Sequence, residues 1–305
     1  MTFVQMSKWR ILWKINKKVM YIIAVCVLIL CVVASIFGIK YLLIGNIKLN
    51  LSDAKISFNI NTSVNLNALA DETVVPSRTH ATVPIFMYHF ILEDYGEYPD
   101  TENFLKPETL EEQLKYISEN GYQTIYIDEM DDLYKYEKPV ALTFDDCFVY
   151  FYNNAFPLLK KYNQKATIFV ITDYINGENY LTEEQIKEMA DSGLVKVESH
   201  SKTHQYLDEM TYDEQVVEAV ESKKRLEDIT GQRVSVYCYP SGRFNQDTID
   251  IIKDYYDFGL EMLGGICNLD NLQDMYHITR IYANRSMPLS TFSNYLKQSK
   301  VVVEK

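Results

Sequence analysis

From Pro84 onward the chain alternates short apolar, β-prone runs with helical patterns, and this alternation limits the available folds more than any other feature. The runs are Pro84 to Tyr88, Gln123 to Ile127, Val140 to Phe144, Ala166 to Ile171, Leu194 to Glu198, Val234 to Tyr239 and Ile278 to Ala283. Between them lie helix start and stop signals. Thr182-x-x-Gln185 and Thr211-x-x-Glu214 read as capping boxes, and Gly121, Gly193 and Gly231 stand where helix C-termini call for a left-handed residue. Strands separated by helices pair in parallel, because the crossover returns the chain to the same end of the sheet. The expectation is an α/β domain, either a barrel or an open doubly wound sheet, with its functional side chains at the C-terminal ends of the strands.

Charge divides the chain before this domain begins. Of 30 basic and 42 acidic residues, six basic and no acidic ones fall in residues 1–40, leaving 24 against 42 and a net of -18 for the remainder. So acidic a surface argues against nucleic acid, whose binding depends on Lys and Arg at phosphates, and leaves a neutral polymer acceptable. Lys8, Arg10, Lys14, Lys17 and Lys18 precede an uncharged run from Val19 to Ile39, which as a helix spans about 30 Å, the thickness of a bilayer core. Positive charge before the run keeps residues 1–18 cytoplasmic and sends the rest across. A cleaved signal peptide is the rival reading, but the run exceeds a usual signal core and Lys40 to Ile47 offers no small-x-small cleavage site. The expected layout is therefore a basic N-terminus, a transmembrane anchor at 19–39, a polar stalk at 40–82 with little regular structure, and an extracytoplasmic domain at 83–305.

Of five cysteines, Cys26 and Cys31 lie in the apolar run, while Cys147, Cys238 and Cys267 are scattered without CxxC spacing. Neither a disulfide framework nor a thiolate metal site is indicated, and buried thiols are expected.

Three segments carry chemistry. Leu142-Thr-Phe-Asp145-Asp146 is an apolar strand ending in two carboxylates; neighbouring strand residues face opposite ways, so both can serve one site only where the chain turns. Alone, the pair reads first as a solvated turn or helix N-cap. Leu194 to Glu198 runs into His200-Ser-Lys-Thr-His204, two imidazoles four residues apart, which share a face if the segment turns helically and suit one metal with a carboxylate as third ligand. Tyr237-Cys-Tyr239-Pro240-Ser241-Gly242 stops a strand with a turn that can aim a backbone N–H inward, or can be an ordinary turn.

In order and spacing these segments resemble the polysaccharide deacetylase family, the NodB-homology fold of carbohydrate esterase family 4. The resemblance covers roughly Val83 to Leu296, with a NodB-homology core from about residue 138, and Pro84 to His89 looks like the entry strand of the poly-N-acetylglucosamine and peptidoglycan deacetylase subgroup. It implies a distorted (β/α) barrel of about seven strands. It also implies one divalent ion, usually zinc, on Asp146, His200 and His204, with Asp145 as general base and the Ser241 N–H as oxyanion donor. In the subgroup the early histidine, here His89, is the general acid; His277 is the runner-up, since no convincing late Leu-His motif is present.

Two positions depart from the family. Cys147 stands where Gly usually follows the aspartates, and Cys238 where many members carry an Arg that orients the base. Arg280 resembles a late arginine of the subgroup and could supply that charge to Asp145, or form a surface ion pair instead. Among 24 tyrosines, Tyr239 alone has a positional claim on substrate. The implied activity is N-deacetylation of an amino-sugar polymer of the cell envelope. The alternatives are an O-acetyl esterase using the same site and a non-catalytic polysaccharide-binding relative.

Overall fold

The computed structural model describes residues 41–44, 47–50, 79–93, 102–146, 148–262 and 264–303. They divide between two compact units, residues 1–78 and 79–305. In the first, β1 (Tyr41–Ile44) pairs antiparallel with β2 (Ile47–Asn50). The run at 19–39, expected to be a transmembrane anchor, lies outside the described residues; among those described, no helix is long and apolar enough to cross a membrane.

The second unit contains, in chain order, β3 (Thr79–Val83), β4 (Ile85–Tyr88), β5 (Phe90–Ile91), β6 (Phe104–Leu105), α1 (Pro107–Glu119), β7 (Gln123–Ile125), β8 (Pro139–Phe144), α2 (Phe156–Tyr162), β9 (Ala166–Val170), α3 (Glu183–Asp191), β10 (Val195–Ser199), α4 (Tyr212–Thr230), β11 (Val236–Cys238), α5 (Gln246–Tyr255), β12 (Phe258–Leu260), β13 (Cys267–Asn268), β14 (Ile281–Tyr282), α6 (Leu289–Leu296) and β15 (Lys300–Val303). Seven strands form a parallel sheet in the order β12-β11-β10-β9-β8-β4-β14, with β7 pairing beside the start of β8. Ile278 bridges Leu260 of β12, and three residues later β14 pairs with β4. One short segment thus touches both edges of the sheet, which is curled into a half-barrel.

Strand alternation sorts the core into two layers. Phe86, Tyr88, Val140, Leu142, Phe144, Ile168, Val170, Val195, Val197 and Tyr237 join one cluster with the apolar faces of the helices. Their neighbours Ile85, Ala141, Phe169, Val236, Cys238, Phe258 and Leu260 form a second cluster with Ala81, Val83, Met130 and Leu133. β3 runs between β13 and β15 in a small antiparallel sheet. Because β3 leads straight into β4, that sheet lies at the N-terminal end of the strands, and the C-terminal ends are left to the polar residues. Both anticipated capping boxes are formed, Thr182 with Gln185 and Thr211 with Glu214, and Gly121, Gly193 and Gly231 have φ of 70°, 71° and 68°.

All seven anticipated runs contain a strand, but three features differ from expectation. The β1–β2 pair falls in the stretch at 40–82 read as a stalk with little regular structure. β3 begins inside the stretch read as a stalk, because Ala81 and Val83 alternate into the core between the less buried His80 and Thr82. β12 was not anticipated: Gly259 interrupts its apolar pattern, and glycine is there because a Cβ would stand 2.1 Å from the Tyr239 hydroxyl oxygen.

Candidate active site

The adjacent acids converge through a change of backbone hand. Asp145 follows β8 with its N–H donating to the Tyr88 carbonyl at 2.9 Å, and Asp146 then turns left-handed at φ 67°. That turn brings a second carboxylate to the strand end, where continued β geometry would have sent it to the other face. A non-glycine residue pays strain for this conformation, which is characteristic of residues held for a site.

The two histidines also meet without a helix. Ser201 and His204 have φ of 67° and 60°, so the expected helical turn is replaced by an irregular one. Its free backbone donors explain why it holds its shape. The Glu218 carboxylate on α4, itself buried, accepts the N–H groups of Lys202 and Thr203 at 2.8 Å each and the Thr203 hydroxyl at 2.7 Å. The Ser201 hydroxyl accepts the His204 N–H at 2.9 Å.

At the centre, His200 Nδ1 lies 2.9 Å from the carbonyl oxygen of Cys238. That contact makes Nδ1 the donor and leaves the Nε2 lone pair facing Asp146 Oδ1 at 3.4 Å, while His204 Nε2 faces the same oxygen at 3.5 Å. Three acceptors converging so closely call for a cation between them. Two ligands about 2.05 Å from a tetrahedral ion stand about 3.3 Å apart, so the spacing fits a zinc-sized ion. Asp146, His200 and His204 have donor atoms within 4.8 Å of one another.

Asp145 is buried beside this triad, in a bidentate pair with Arg280: Nη1 to Oδ1 is 2.7 Å and Nη2 to Oδ2 is 2.8 Å. Burial alone would raise its pKa, but the charge and hydrogen bonds of Arg280 overcome this and hold it well below the usual carboxylate range. Cys238 sits against both, with Sγ 3.1 Å from Arg280 Nη2. The small side chain at 238 leaves room for an arginine from the neighbouring edge of the sheet. Cys238 and Cys267 are free and buried; Cys147 lies outside the described residues.

His89 follows β4 and presents a buried Nδ1 with no hydrogen-bond partner among the described residues. Its pKa is lowered, chiefly by burial, against the opposing pull of Asp145 and Asp146. His277, the runner-up acid, is occupied by Glu261 at 2.8 Å. Ser241 adopts φ 53° in the turn after β11, and among the described residues its N–H has no acceptor, whereas the next two N–H groups donate to Tyr239 and Pro240. Tyr239 corrects the sequence reading: its side chain is fully buried and its hydroxyl donates to the Tyr276 carbonyl at 3.0 Å. It points outward with Tyr237 into the helix-facing core and cannot stack on a sugar.

Sequence reasoning missed Glu218, which looks like any acid on an amphipathic helix until the loop it holds is in place. The only available signal was its location on the helix directly after the histidine segment.

Known proteins resemble this chain in sequence and fold. The polysaccharide deacetylase family model matches residues 134–258. YxkH of Bacillus subtilis (strain 168), assigned by name to the polysaccharide deacetylases, is 35% identical over 226 residues, covering 72% of this chain and 78% of its own. The poly-beta-1,6-N-acetyl-D-glucosamine N-deacetylase of Staphylococcus aureus (strain MRSA252) is 28% identical over 193 residues, 56% of this chain and 64% of that protein. Among solved structures, the Streptococcus pyogenes deacetylase PplD in complex with acetate superposes with a TM-score of 0.66 at 30% identity, over 70% of this chain and 98% of that one.

Proposed function

This chain belongs to the polysaccharide deacetylase family, hydrolases of carbon–nitrogen bonds other than peptide bonds, and we propose that it removes N-acetyl groups from an N-acetylglucosamine-containing polysaccharide of the cell envelope, peptidoglycan or an exopolysaccharide. The observation that carries this reading is the ionised, arginine-held Asp145 lying beside the three-acceptor cluster of Asp146, His200 and His204.

Those three residues would hold one divalent ion, with zinc as our choice. When bound, it would supply the Lewis-acid charge that acidifies water and polarises an acetamide carbonyl. Asp145 is the base. Arg280 keeps it ionised at neutral pH and fixes both oxygens, so the proton of an attacking water passes to a carboxylate already in position. The Ser241 N–H donates to the developing oxyanion. His89, whose buried Nδ1 has no hydrogen-bond partner among the described residues, delivers a proton to the leaving nitrogen. Acetate and a free amine result. The basic N-terminus and apolar run at 19–39 support single-pass anchoring, with the stalk and catalytic domain outside the membrane.

The test is release of acetate and free amine by the zinc-loaded full-length chain from N-acetylglucosamine oligomers and peptidoglycan. Release abolished by chelation and by Asp145→Asn is expected. Acetate appearing with a new hydroxyl in place of an amine would transfer the site to O-acetyl esters. No release despite bound zinc would leave only a binding role.

A further inference from the structure

The loop between β9 and α3 is fastened to both halves of the candidate metal site. On one side, the N–H groups of Thr172 and Asp173 donate to the carbonyls of Ser201 and Lys202, in the turn that carries His200 and His204. On the other, Tyr180 forms an antiparallel bridge with Phe148, two residues beyond Asp146, and the Val149 N–H donates to the Asn179 carbonyl at 2.8 Å. The pKa of Tyr180 is raised by burial and by the charge of Asp146, in keeping with this proximity.

This loop carries one end of a row of rings. Tyr174 and Tyr180 have ring centroids 4.9 Å apart, Tyr180 and Phe148 4.8 Å, Phe148 and Phe90 4.2 Å, and Phe90 and Phe104 4.8 Å. Phe104 is buried at one end, while Tyr174 is 38% exposed at the other. An exposed tyrosine on a free loop would lose rotamer freedom on binding; one braced by a stack running into the core has already lost it. Neither the fold nor the proposed chemistry gives Tyr174 a task, and the residue before it is hydrogen-bonded to the turn of the metal-site histidines.

We propose that Tyr174 is the platform on which a pyranose ring of the polymer stacks, one sugar away from the residue being deacetylated, with Tyr180 and Phe148 as its supports. The occupant is an amino-sugar chain, and this identity rests on the function proposed above. A flat, partly apolar face carrying a hydroxyl suits the C–H face and hydroxyl rim of a pyranose, and contact outside the reacting sugar favours chains over monomers.

Calorimetric binding of N-acetylglucosamine and its β-1,4- and β-1,6-linked tetramers to the zinc-loaded full-length chain tests this directly. Tyr174→Ala is expected to weaken tetramer binding about tenfold, to raise KM for the tetramer without lowering kcat, and to leave the monomer within about twofold. Tyr174→Phe should retain most of the affinity. Tetramer binding that Tyr174→Ala leaves intact, equal losses on monomer and tetramer, or no tetramer binding by the unsubstituted chain would each overturn the platform. Tyr174-dependent tetramer binding without acetate release would uphold the platform and sink the hydrolytic reading instead.

Discussion

Arg280 grips Asp145 through both ends of its guanidinium although 135 positions separate them in the chain. Both groups are nearly inaccessible to water, at 0% and 3% side-chain exposure, so neither charge is tolerable without the other. Arg280→Ala is expected to destabilise the fold by about 3–5 kcal/mol, the usual range for stranding a buried charge, and to lower deacetylation at least about 100-fold. With the pair intact, the folded pKa of Asp145 lies below its unfolded value. Its stabilisation is therefore fully present above about pH 4 and is lost as pH falls through the depressed folded pKa. With Arg280 gone, burial is opposed only by the weaker pull of His200 and His89, and the acid side of the rate profile should move to higher pH. Adding Cys238→Arg to Arg280→Ala should recover part of both losses, because position 238 adjoins the same carboxylate. Urea unfolding and pH–rate profiles of the single and double variants check this; a double variant no better than Arg280→Ala would mean that position 238 cannot supply the charge.

Metal loading should appear as stability before it appears as turnover. An ion that binds only the folded state stabilises it by mass action, by about 2.7 kcal/mol at a hundredfold excess over Kd. Zinc is expected to raise Tm, and a chelator to reverse the rise. His200→Ala should abolish the effect, and His204→Ala should weaken it. Thermal unfolding with and without zinc gives the answer, and a zinc-induced rise that survives His200→Ala would place the ion elsewhere.

What the sequence disclosed follows from how local each feature is. Asp145 and Asp146 are adjacent, and His200 and His204 four residues apart, each pair at the end of an apolar run, so their convergence could be inferred from one segment at a time. Six of the seven strands of the parallel sheet were readable for the same reason, each lying in an uninterrupted run, whereas β12 was not, because Gly259 breaks its pattern. Arg280 could be named as a possible partner of Asp145, but not distinguished from a surface ion pair, because its reach depends on β14 lying beside β4 and on the small residue at 238. Tyr239 was misassigned, since position in a motif does not reveal which way the side chain just past a three-residue strand points. Glu218 was invisible because its three partners belong to a turn whose left-handed residues, Ser201 and His204, carry no glycine signal.

Glu218 therefore merits its own test as a residue that positions the metal loop without touching substrate. Its carboxylate accepts from two backbone N–H groups and a hydroxyl of the partly buried turn, none of which has another acceptor among the described residues. Glu218→Ala is expected to reduce stability by about 1–3 kcal/mol and to weaken zinc affinity by about 10–100-fold. Activity at saturating zinc should return to within a few-fold of the unsubstituted chain. A zinc titration followed by activity separates the two cases: a merely structural role would lower Tm and leave the zinc midpoint unchanged.

Tyr239 and Gly259 form a coupled pair whose behaviour distinguishes a core tyrosine from a sugar-binding one. The Tyr239 hydroxyl donates to the Tyr276 carbonyl and lies over the bare Cα of Gly259, where a Cβ would approach that oxygen to 2.1 Å. Tyr239→Phe should lower stability by about 1 kcal/mol, the value of one hydrogen bond, and leave kcat and KM unchanged on every chain length. Gly259→Ala should be more damaging, since β12 or the tyrosine must move, with overpacking penalties of about 1–3 kcal/mol. In the double variant the losses should sum to less than the two separate effects, because removing the hydroxyl oxygen removes the closest contact. Relief should be incomplete, as the ring carbon bearing that oxygen would still stand 2.8 Å from the new Cβ. Additive losses would mean that the two residues do not press on each other, and a rise in KM confined to Tyr239→Phe would return the residue to the substrate.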